Sequence, residues 1–186
     1  MVFHSVERLI TFESFEDFLE QPENRDRRYE LIHGEIVEKT MPTEQHGIVV
    51  TRFLVRLYPH LERINPDVRL GPEIRVRTPG DIHNARQPDI SYFADTTRPL
   101  SDRGVVERMP DLAIEVKSPT DTYQELRERA DYYLANGTRM VIIADPAERR
   151  FTVLTPGAVR ILNEDDVFEG GDVLPGFQMR VSEVFP

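Results

Sequence analysis

The amino-acid sequence predicts an α/β protein with one mixed β-sheet and helices on both of its faces. Apolar residues recur at helical spacing after Pro42-Thr43 and again after Thr122, which predicts two long helices. Short apolar runs bounded by turn residues lie between and after these helices, which predicts the strands of a sheet. The length of 186 residues suits a single domain, 1–186.

The first half of the chain contains five predicted elements before a long loop. A helix over 11–21 is capped by Thr11 or Ser14, and a strand over 29–39 is interrupted by Gly34. The helix after Thr43 has an apolar stripe that is typical of core packing. Strands follow near Val68 to Arg77 and Asp89 to Phe93, and residues Asp95 to Met109 are predicted to form a mobile loop.

The second half begins with a strand that ends at Lys117. Thr122 and Glu125 can form a capping box at the start of the next helix, which Gly137 is placed to end. Tyr123, Leu126, Ala130 and Tyr133 fall on one face of this helix, and Tyr133 is predicted to belong to the core. A buried strand over Met140 to Ala144 and a hairpin of Phe151 to Leu154 with Val159 to Leu162 complete a core over about 29–162, and residues 163–186 are predicted as a C-terminal tail.

Lys117 is one of two lysines in a chain that is otherwise rich in arginine. It ends the triplet Glu115-Val116-Lys117, which lies in an apolar stretch typical of a strand. Residues two apart on a strand share a face, so Glu115 and Lys117 project together from a hydrophobic element. Lysine is a mobile point charge whose pKa shifts readily on burial, so its use here indicates a chemical role for Lys117. The alternative is that Glu115 and Lys117 form a salt-bridged strand end.

Asp89 stands directly after Pro88 at the start of another short apolar strand. Pro-Asp is also a common turn dipeptide. If the two strands are neighbours, the carboxylates of Asp89 and Glu115 repel each other unless a cation lies between them. Ligation by oxygen alone suits Mg²⁺ or Mn²⁺ and does not suit zinc.

The combination of Pro-Asp with a downstream Glu-x-Lys resembles the PD-(D/E)XK nuclease superfamily, the restriction-endonuclease-like fold. Four longer stretches are similar to a large bacterial family of restriction-endonuclease-like proteins, and the similarity spans about residue 11 to the end. The resemblance implies a restriction-endonuclease-like mixed β-sheet flanked by helices. The four stretches are Tyr29 to Val37, Ile114 to Pro119, Tyr133 to Gly137 and Leu174 to Phe177.

The resemblance implies roles for the residues that match its motif. Asp89 and Glu115 would hold Mg²⁺ or Mn²⁺, helped by the backbone carbonyl of Val116. Lys117 would position the attacking water or stabilise developing phosphoryl charge.

At two positions the chain departs from the resembled family. His33 stands where Asp is frequent, and Arg129 stands on the following helix where Lys is frequent. Arginine supplies charge but does not easily give up a proton, so Lys117 is the lysine candidate.

Four further polar residues are candidates for supporting positions. Glu44 would be an acid of the metal shell, with favourable placement at a helix N-terminus as the alternative. His46 matches a family histidine, and a capping or hydrogen-bonding role explains it equally well. Glu30 matches a position of the resembled family but ranks below Glu44 as a candidate, because a turn or sheet-edge role explains it equally well. Gln124 would orient solvent near the metal.

The net charge of −10 argues against broad attraction to a polyanion, because phosphate binding depends on Lys and Arg. Any nucleic acid would therefore meet local arginine clusters, and a solvated polar face is the alternative for each of them. The clusters are Arg25, Arg27 and Arg28; Arg75 and Arg77; and Arg127 with Arg129.

Several classes of protein are disfavoured by what the sequence lacks. The absence of cysteine excludes disulfides and thiolate metal sites. No charged-then-apolar leader or long apolar run is present, which predicts a cytoplasmic protein with no membrane partner. No phosphate-cradling or dinucleotide glycine motif occurs, so no organic cofactor is expected.

The leading hypothesis is a metal-dependent endonuclease that hydrolyses DNA. A homo-oligomer, most simply a dimer, is expected because proteins of the resembled fold frequently work as dimers. The acidic balance and Arg129 motivate the alternative of a catalytically inactive nuclease fold that acts as a nucleic-acid-binding or regulatory module. A third hypothesis is an oligomeric scaffold without a nucleic-acid partner.

Overall fold

The computed structural model describes residues 9–101 and 104–186, so the predictions for 1–8 and for 102–103 lie outside the described residues. The three α-helices of the described part are α1 (Phe12–Glu20), α2 (Glu44–Ile64) and α3 (Tyr123–Ala135). Two short 3₁₀ helices cover Pro22–Asn24 and Val181–Val184. The strands are β1 (Tyr29–Ile32), β2 (Glu35–Glu38), β3 (Arg69–Pro72), β4 (Ile90–Phe93), β5 (Leu112–Val116), β6 (Met140–Asp145), β7 (Arg150–Thr155), β8 (Ala158–Leu162), β9 (Val167–Glu169) and β10 (Gln178–Arg180).

Six of the strands form one mixed sheet in the order β3-β4-β5-β6-β7-β8. Strands β5 and β6 are parallel, and the other neighbours in this sheet are antiparallel. Parallel neighbours need a crossover connection, and α3 provides it. The predicted mixed sheet flanked by helices is confirmed.

The two faces of the sheet carry separate hydrophobic clusters. On β5, Ile114 and Val116 belong to the cluster that includes the buried face of α2. Ala113 belongs to the cluster on the opposite face, with Leu126 and Tyr133 of α3. Because side chains alternate along a strand, Glu115 projects toward the α3 face together with Ala113.

Local capping chemistry sets the helix starts where the sequence predicts them. The Thr11 and Thr43 side chains each accept a hydrogen bond from a backbone amide in the first turn, and Thr122 forms the predicted capping box with Glu125. Tyr123 is 41% exposed, unlike the buried residues further along its helix. In the described part of the chain, every helix is too short or too polar to cross a membrane.

The stretch predicted as one interrupted strand is a hairpin of β1 and β2, which pair with each other outside the main sheet. His33 and Gly34 form its turn with φ of 50° and 80°. A Cβ on Gly34 would lie 2.7 Å from the Leu9 Cβ, so glycine is required by space as well as by φ. Reciprocal backbone hydrogen bonds of 2.9 Å between Leu31 and Ala85 join the hairpin to the segment before β4.

The strand predicted over Val68 to Arg77 is shorter than expected. Strand β3 ends at Pro72 because Glu73 adopts φ of 54°, which interrupts an extended backbone. Val76 continues only as isolated bridges, to Arg86 and to Val106.

Residues 163–186, predicted as a C-terminal tail, pack against the main core. Strands β9 and β10 pair antiparallel. Phe168, Leu174 and Phe185 are buried in the same cluster as the α2 face of the sheet. The last two residues are held through their carbonyls, because Arg52 donates to Phe185 and Arg149 donates to Pro186.

Candidate active site

Strands β4 and β5 bring Asp89 and Glu115 together at one end of the main sheet. The antiparallel register pairs Ile90 with Ile114, and continuing it by one residue sets Asp89 beside Glu115. The Val116 amide donates to Asp89 Oδ2 at 2.8 Å, which closes the end of the ladder. Asp89 is 4% exposed and Glu115 is 1% exposed, so two carboxylates are removed from water at this point.

Glu30 on β1 is a third buried acid. Its Oε1 accepts a hydrogen bond of 2.6 Å from the Gln87 amide, and its Oε2 lies 3.8 Å from Nη2 of Arg129. Glu44 is exposed in the first turn of α2, and no ion pair or hydrogen bond of the described residues joins it to the buried acids. The order of the two sequence candidates is therefore reversed, with Glu30 inside and Glu44 outside.

Two cations lie beside the buried acids. Lys39, just after β2, donates from Nζ to the Gln87 carbonyl at 2.7 Å and lies 3.3 Å from Asp89 Oδ1. Its side chain is 8% exposed. Nη1 of Arg129, on α3, lies 3.5 Å from Glu115 Oε2.

Lys117 occupies a different position from the one that its spacing suggests. It is half-buried, and its amide donates to the Ala144 carbonyl at 2.9 Å. Its side chain forms no ion pair within residues 9–101 and 104–186. The lysine in contact with an acid of the site is Lys39, which the sequence analysis did not select.

The first turn of α2 supplies His46 to the site. Its Nε2 lies 3.6 Å from Asp89 Oδ1, and its Nδ1 lies 3.4 Å from Ser118 Oγ. His46 is 8% exposed, so its ring is held between two polar groups with little access to water. The capping role considered for this residue belongs to Thr43, whose Oγ1 accepts from the His46 amide at 3.2 Å.

Helix α3 contributes one more contact to Glu115. Tyr133 is fully buried as predicted, and its hydroxyl donates to Glu115 Oε1 at 2.8 Å. Gln124 is exposed at the other end of the helix, where it donates to Glu128 at 3.0 Å. Gln124 was predicted to orient solvent near the metal, and within the described residues it makes no hydrogen bond to Asp89 or Glu115.

Burial and mutual repulsion determine the ionisation of the cluster. Burial and the nearby Asp89 charge raise the pKa of Glu115 from 4.5 to about 7, although Lys39 and Arg129 act in the opposite direction. Burial tends to lower the pKa of Lys39, but the attraction of Asp89 and Glu115 outweighs it and raises that pKa. Burial and Glu115 also raise the pKa of Tyr133. Lys39 and Tyr133 therefore keep their protons at neutral pH, while Glu115 readily gains or loses one.

The available ligands fit a hard cation. No group of three or more His, Asp or Glu side chains in the described part of the chain forms a complete metal cage. Mg²⁺ rarely needs such a cage, because it is usually bound by one or two carboxylates together with waters and substrate phosphates. Asp89 and Glu115 supply that number of carboxylates, and their mutual repulsion is relieved by added positive charge.

A mixed sheet flanked by helices, with paired acids at one end, is typical of the restriction-endonuclease-like fold. Residues 15–182 match the Uma2 family, which is described as "Putative restriction endonuclease". The chain belongs to this family. The resemblance to the PD-(D/E)XK superfamily is confirmed.

One solved structure agrees with this fold over nearly its whole length. The chain is 23% identical to a "putative nuclease belonging to DUF820" from Anabaena variabilis ATCC 29413, with a TM-score of 0.80 over 95% of this chain and 97% of that one. A DrdV–DNA complex gives a TM-score of 0.34 at 15% identity over 67% of this chain and 87% of that one, which is too distant to support an argument. The comparison with curated proteins found no match.

Proposed function

We propose that the protein is a metal-dependent endonuclease that hydrolyses DNA phosphodiester bonds. The observation that carries this proposal is the burial of Asp89 and Glu115 together, with Nζ of Lys39 3.3 Å from the first of them. Membership of a restriction-endonuclease family supports hydrolysis of a phosphodiester, and DNA is the substrate that such chemistry most directly implies.

The carboxylates of Asp89 and Glu115, with the Val116 carbonyl, are the groups that would hold Mg²⁺ or Mn²⁺. When bound, the divalent ion supplies Lewis-acid chemistry, which lowers the pKa of water and polarises the phosphate ester. Titration of Glu115 near neutral pH supports this assignment, because a carboxylate that shares its site with a second one is stabilised by a cation.

Two basic side chains, those of Lys39 and Arg129, place positive charge beside the buried acids. Lys39 keeps a proton on a buried ammonium group beside Asp89, where it can stabilise negative charge that develops on phosphoryl oxygens. Arg129 offsets the charge of Glu30 and Glu115, so the acids remain ionisable in a buried position. We propose Lys39 as the working lysine and keep Lys117 as the second candidate, because Lys117 shares a strand end with Glu115.

A cleavage assay tests the proposal. Purified protein is incubated with supercoiled plasmid in Mg²⁺, in Mn²⁺ and in EDTA, next to Asp89→Ala and Glu115→Gln. We expect nicked or linear product only with metal, and product at background in both variants because each lacks one proposed metal ligand. The surface variant Glu128→Gln is the matched control, since it removes an exposed acid of α3, and we expect it to cleave like the parent.

Equal cleavage by the parent and both site variants would contradict the assignment of the site. DNA binding without product in either metal would instead support the alternative of a nuclease fold that binds without cleaving. Failure to bind DNA at any ionic strength would contradict both, because phosphate contacts strengthen at low salt.

A further inference from the structure

A cavity of about 1210 Å³ lies between α1, β3 and the described segments around residues 73–77, 98–101 and 104–108. It is separate from the three buried acids but shares a wall with them. Glu73 lines the cavity, and its carbonyl accepts a hydrogen bond of 2.6 Å from the Gln87 side chain. The backbone amide of Gln87 donates to the Glu30 carboxylate, so two hydrogen bonds through Gln87 connect the cavity wall to the candidate active site.

Five arginines line this cavity, and four of them form ion pairs with three neighbouring carboxylates. Arg69 pairs with Asp67 at 3.4 Å, and Arg77 pairs with Glu107. The Asp95 carboxylate forms ion pairs with both of the others, which lie 3.4 and 3.5 Å from its Oδ2. These two are Arg98 and Arg108.

Arg75 is the exception among the five. Its guanidinium forms no ion pair and no hydrogen bond within the described ranges, and its Nε is buried without a partner. The group lies 5.5 Å from the centre of the Phe15 ring, which holds one side of it without neutralising its charge. Burial lowers the pKa of Arg75, and the longer-range attraction of Glu30 and Glu16 opposes only part of that effect.

A half-buried guanidinium without a partner is costly, and an anion in the cavity would remove that cost. The planar fork of arginine matches the two oxygens of a phosphate or carboxylate. Arg75 and Gly104 both line the cavity, and a Cβ added to Gly104 would lie 3.8 Å from Arg75 Nη1, which is an ordinary contact distance.

The charge of the cavity limits the ligand to one anionic group at this point. Glu13, Glu16 and Glu73 also line it, so a continuous track of phosphates would meet repulsion. The apolar side chains of Ile82 and Leu100, which are 50% and 76% exposed, line the same cavity and offer contact to an uncharged ring. The volume is sufficient for a ligand of nucleotide size.

We propose that Arg75 binds the phosphate group of a nucleotide in this cavity, whether the nucleotide is free or part of a nucleic-acid strand. This second site does not require cleavage at Asp89 and Glu115. A nucleic-acid strand bound here would continue toward those acids, whereas a free nucleotide would occupy only the neighbouring cavity.

The test is a binding measurement in EDTA, where the proposed cleavage cannot occur. Isothermal calorimetry at low salt would use inorganic phosphate, adenosine 5′-monophosphate and a 12-nucleotide single DNA strand. We expect saturable binding of at least one nucleotide probe and a loss of about tenfold or more in Arg75→Gln, because a hydrogen-bonded charge pair is removed. Equal affinity for the mononucleotide and the strand identifies a free-nucleotide site, and tighter binding of the strand identifies a nucleic-acid contact.

A second pair of variants guards against misfolding of Arg75→Gln. Gly104→Asp places a carboxylate next to Arg75 and should abolish binding by pairing with it, while Gly104→Ala should bind like the parent. Arg127→Gln removes an arginine that pairs with Asp131 on the surface of α3 and serves as the charge control. No binding by the parent, or binding by Arg75→Gln and Gly104→Asp that is as tight as that of the parent, would overturn the proposal whatever the cleavage assay shows.

Discussion

Three buried carboxylates face two permanent cations at the candidate active site. Glu30, Asp89 and Glu115 lie beside Lys39 and Arg129. With all three acids ionised, these five side chains together carry one net negative charge in a buried position. Uptake of one proton or binding of one extra cation is therefore favourable, and Glu115 is the acid that responds.

The stability of the metal-free protein should depend on pH through Glu115. Its pKa is about 7 in the folded protein and near 4.5 in the unfolded chain. Below pH 4.5 both the folded and the unfolded protein hold the proton on Glu115. Between pH 4.5 and 7 the unfolded chain loses this proton while the folded protein keeps it. The contribution of Glu115 to the free energy of unfolding therefore falls as pH rises, by on the order of 3 kcal/mol in total. Urea unfolding in EDTA between pH 4.5 and 8 measures the decline.

Glu115→Gln provides the comparison, because an amide cannot titrate. Its unfolding free energy should fall less than that of the parent over the same range. Added Mg²⁺ should stabilise the parent more at pH 8 than at pH 5, since protons compete with the metal for the carboxylate. Parallel pH curves for the two proteins would show that Glu115 does not hold a proton near neutral pH.

The two lysines should differ in their effect on cleavage. Lys39→Met keeps the aliphatic stem and removes the charge beside Asp89, so we expect a loss of about a hundredfold in cleavage rate. Lys117→Met removes a charge without an ion-pair partner among the described residues and should cost less. Initial plasmid cleavage rates at saturating Mn²⁺ measure both, and the reverse order would assign the working role to Lys117.

The sequence could identify the acids of the site but not the lysine beside them. Asp89 and Glu115 were recognisable because each stands at the end of an apolar strand. The scarcity of lysine that drew attention to Lys117 applied equally to Lys39, but nothing local shows that the hairpin folds over Asp89. On α2, Glu44 and His46 lie two residues apart and so point in different directions, and only the packed structure shows that His46 faces inward.

Helix α3 delivers Arg129 and Tyr133 to Glu115, so its stability bears on the site. Its N-terminus depends on the capping box, in which Thr122 Oγ1 accepts from the Glu125 amide at 3.2 Å and the Thr122 amide donates to the Glu125 carboxylate at 2.8 Å. A capping group of this kind satisfies amides that have no partner within the helix.

Thr122→Ala should lower the free energy of unfolding by about 1 kcal/mol, because it removes the cap. Thr51→Ala is the matched control: Thr51 is exposed within α2 and its hydroxyl only donates back to the Gly47 carbonyl. We expect that control to be neutral or slightly stabilising, since alanine favours a helix interior. Equal losses in urea unfolding of the two variants would argue against a contribution from the cap.

Helix starts were predictable and one strand end was not, for a physical reason. A cap depends on a few neighbouring residues, so the sequence alone indicated Thr43 and Thr122, and it narrowed the first cap to Thr11 or Ser14, of which the structure uses Thr11. The end of β3 depends on the left-handed backbone of Glu73, a residue type that gives no sign of that conformation.

The α2 face of the sheet is completed by the C-terminal residues. Phe185 is 2% exposed, and its ring centre lies 5.6 Å from that of Phe151 on β7. The strands that carry this segment are only three residues long, which is too short to show an apolar period in the sequence. Its role in the core therefore became visible only in the assembled fold.

Phe185→Ala should lower the free energy of unfolding by about 3 to 5 kcal/mol, because it empties a buried aromatic position. Ile161→Ala on β8 is the control, since that side chain is 56% exposed and its loss should cost about 0.5 kcal/mol or less. Chemical unfolding of both variants measures the difference. A small effect of Phe185→Ala would mean that the C-terminal segment adds little to the core.

The hairpin of β1 and β2 carries Glu30 and leads directly into Lys39, yet it pairs with no strand of the main sheet. A local detachment of this unit would therefore withdraw one acid and one ammonium group at the same moment, while the six-stranded sheet stayed intact. The Leu31–Ala85 backbone pair joins the hairpin to the segment before β4. Hydrogen exchange at those two backbone amides would therefore report how often the hairpin detaches.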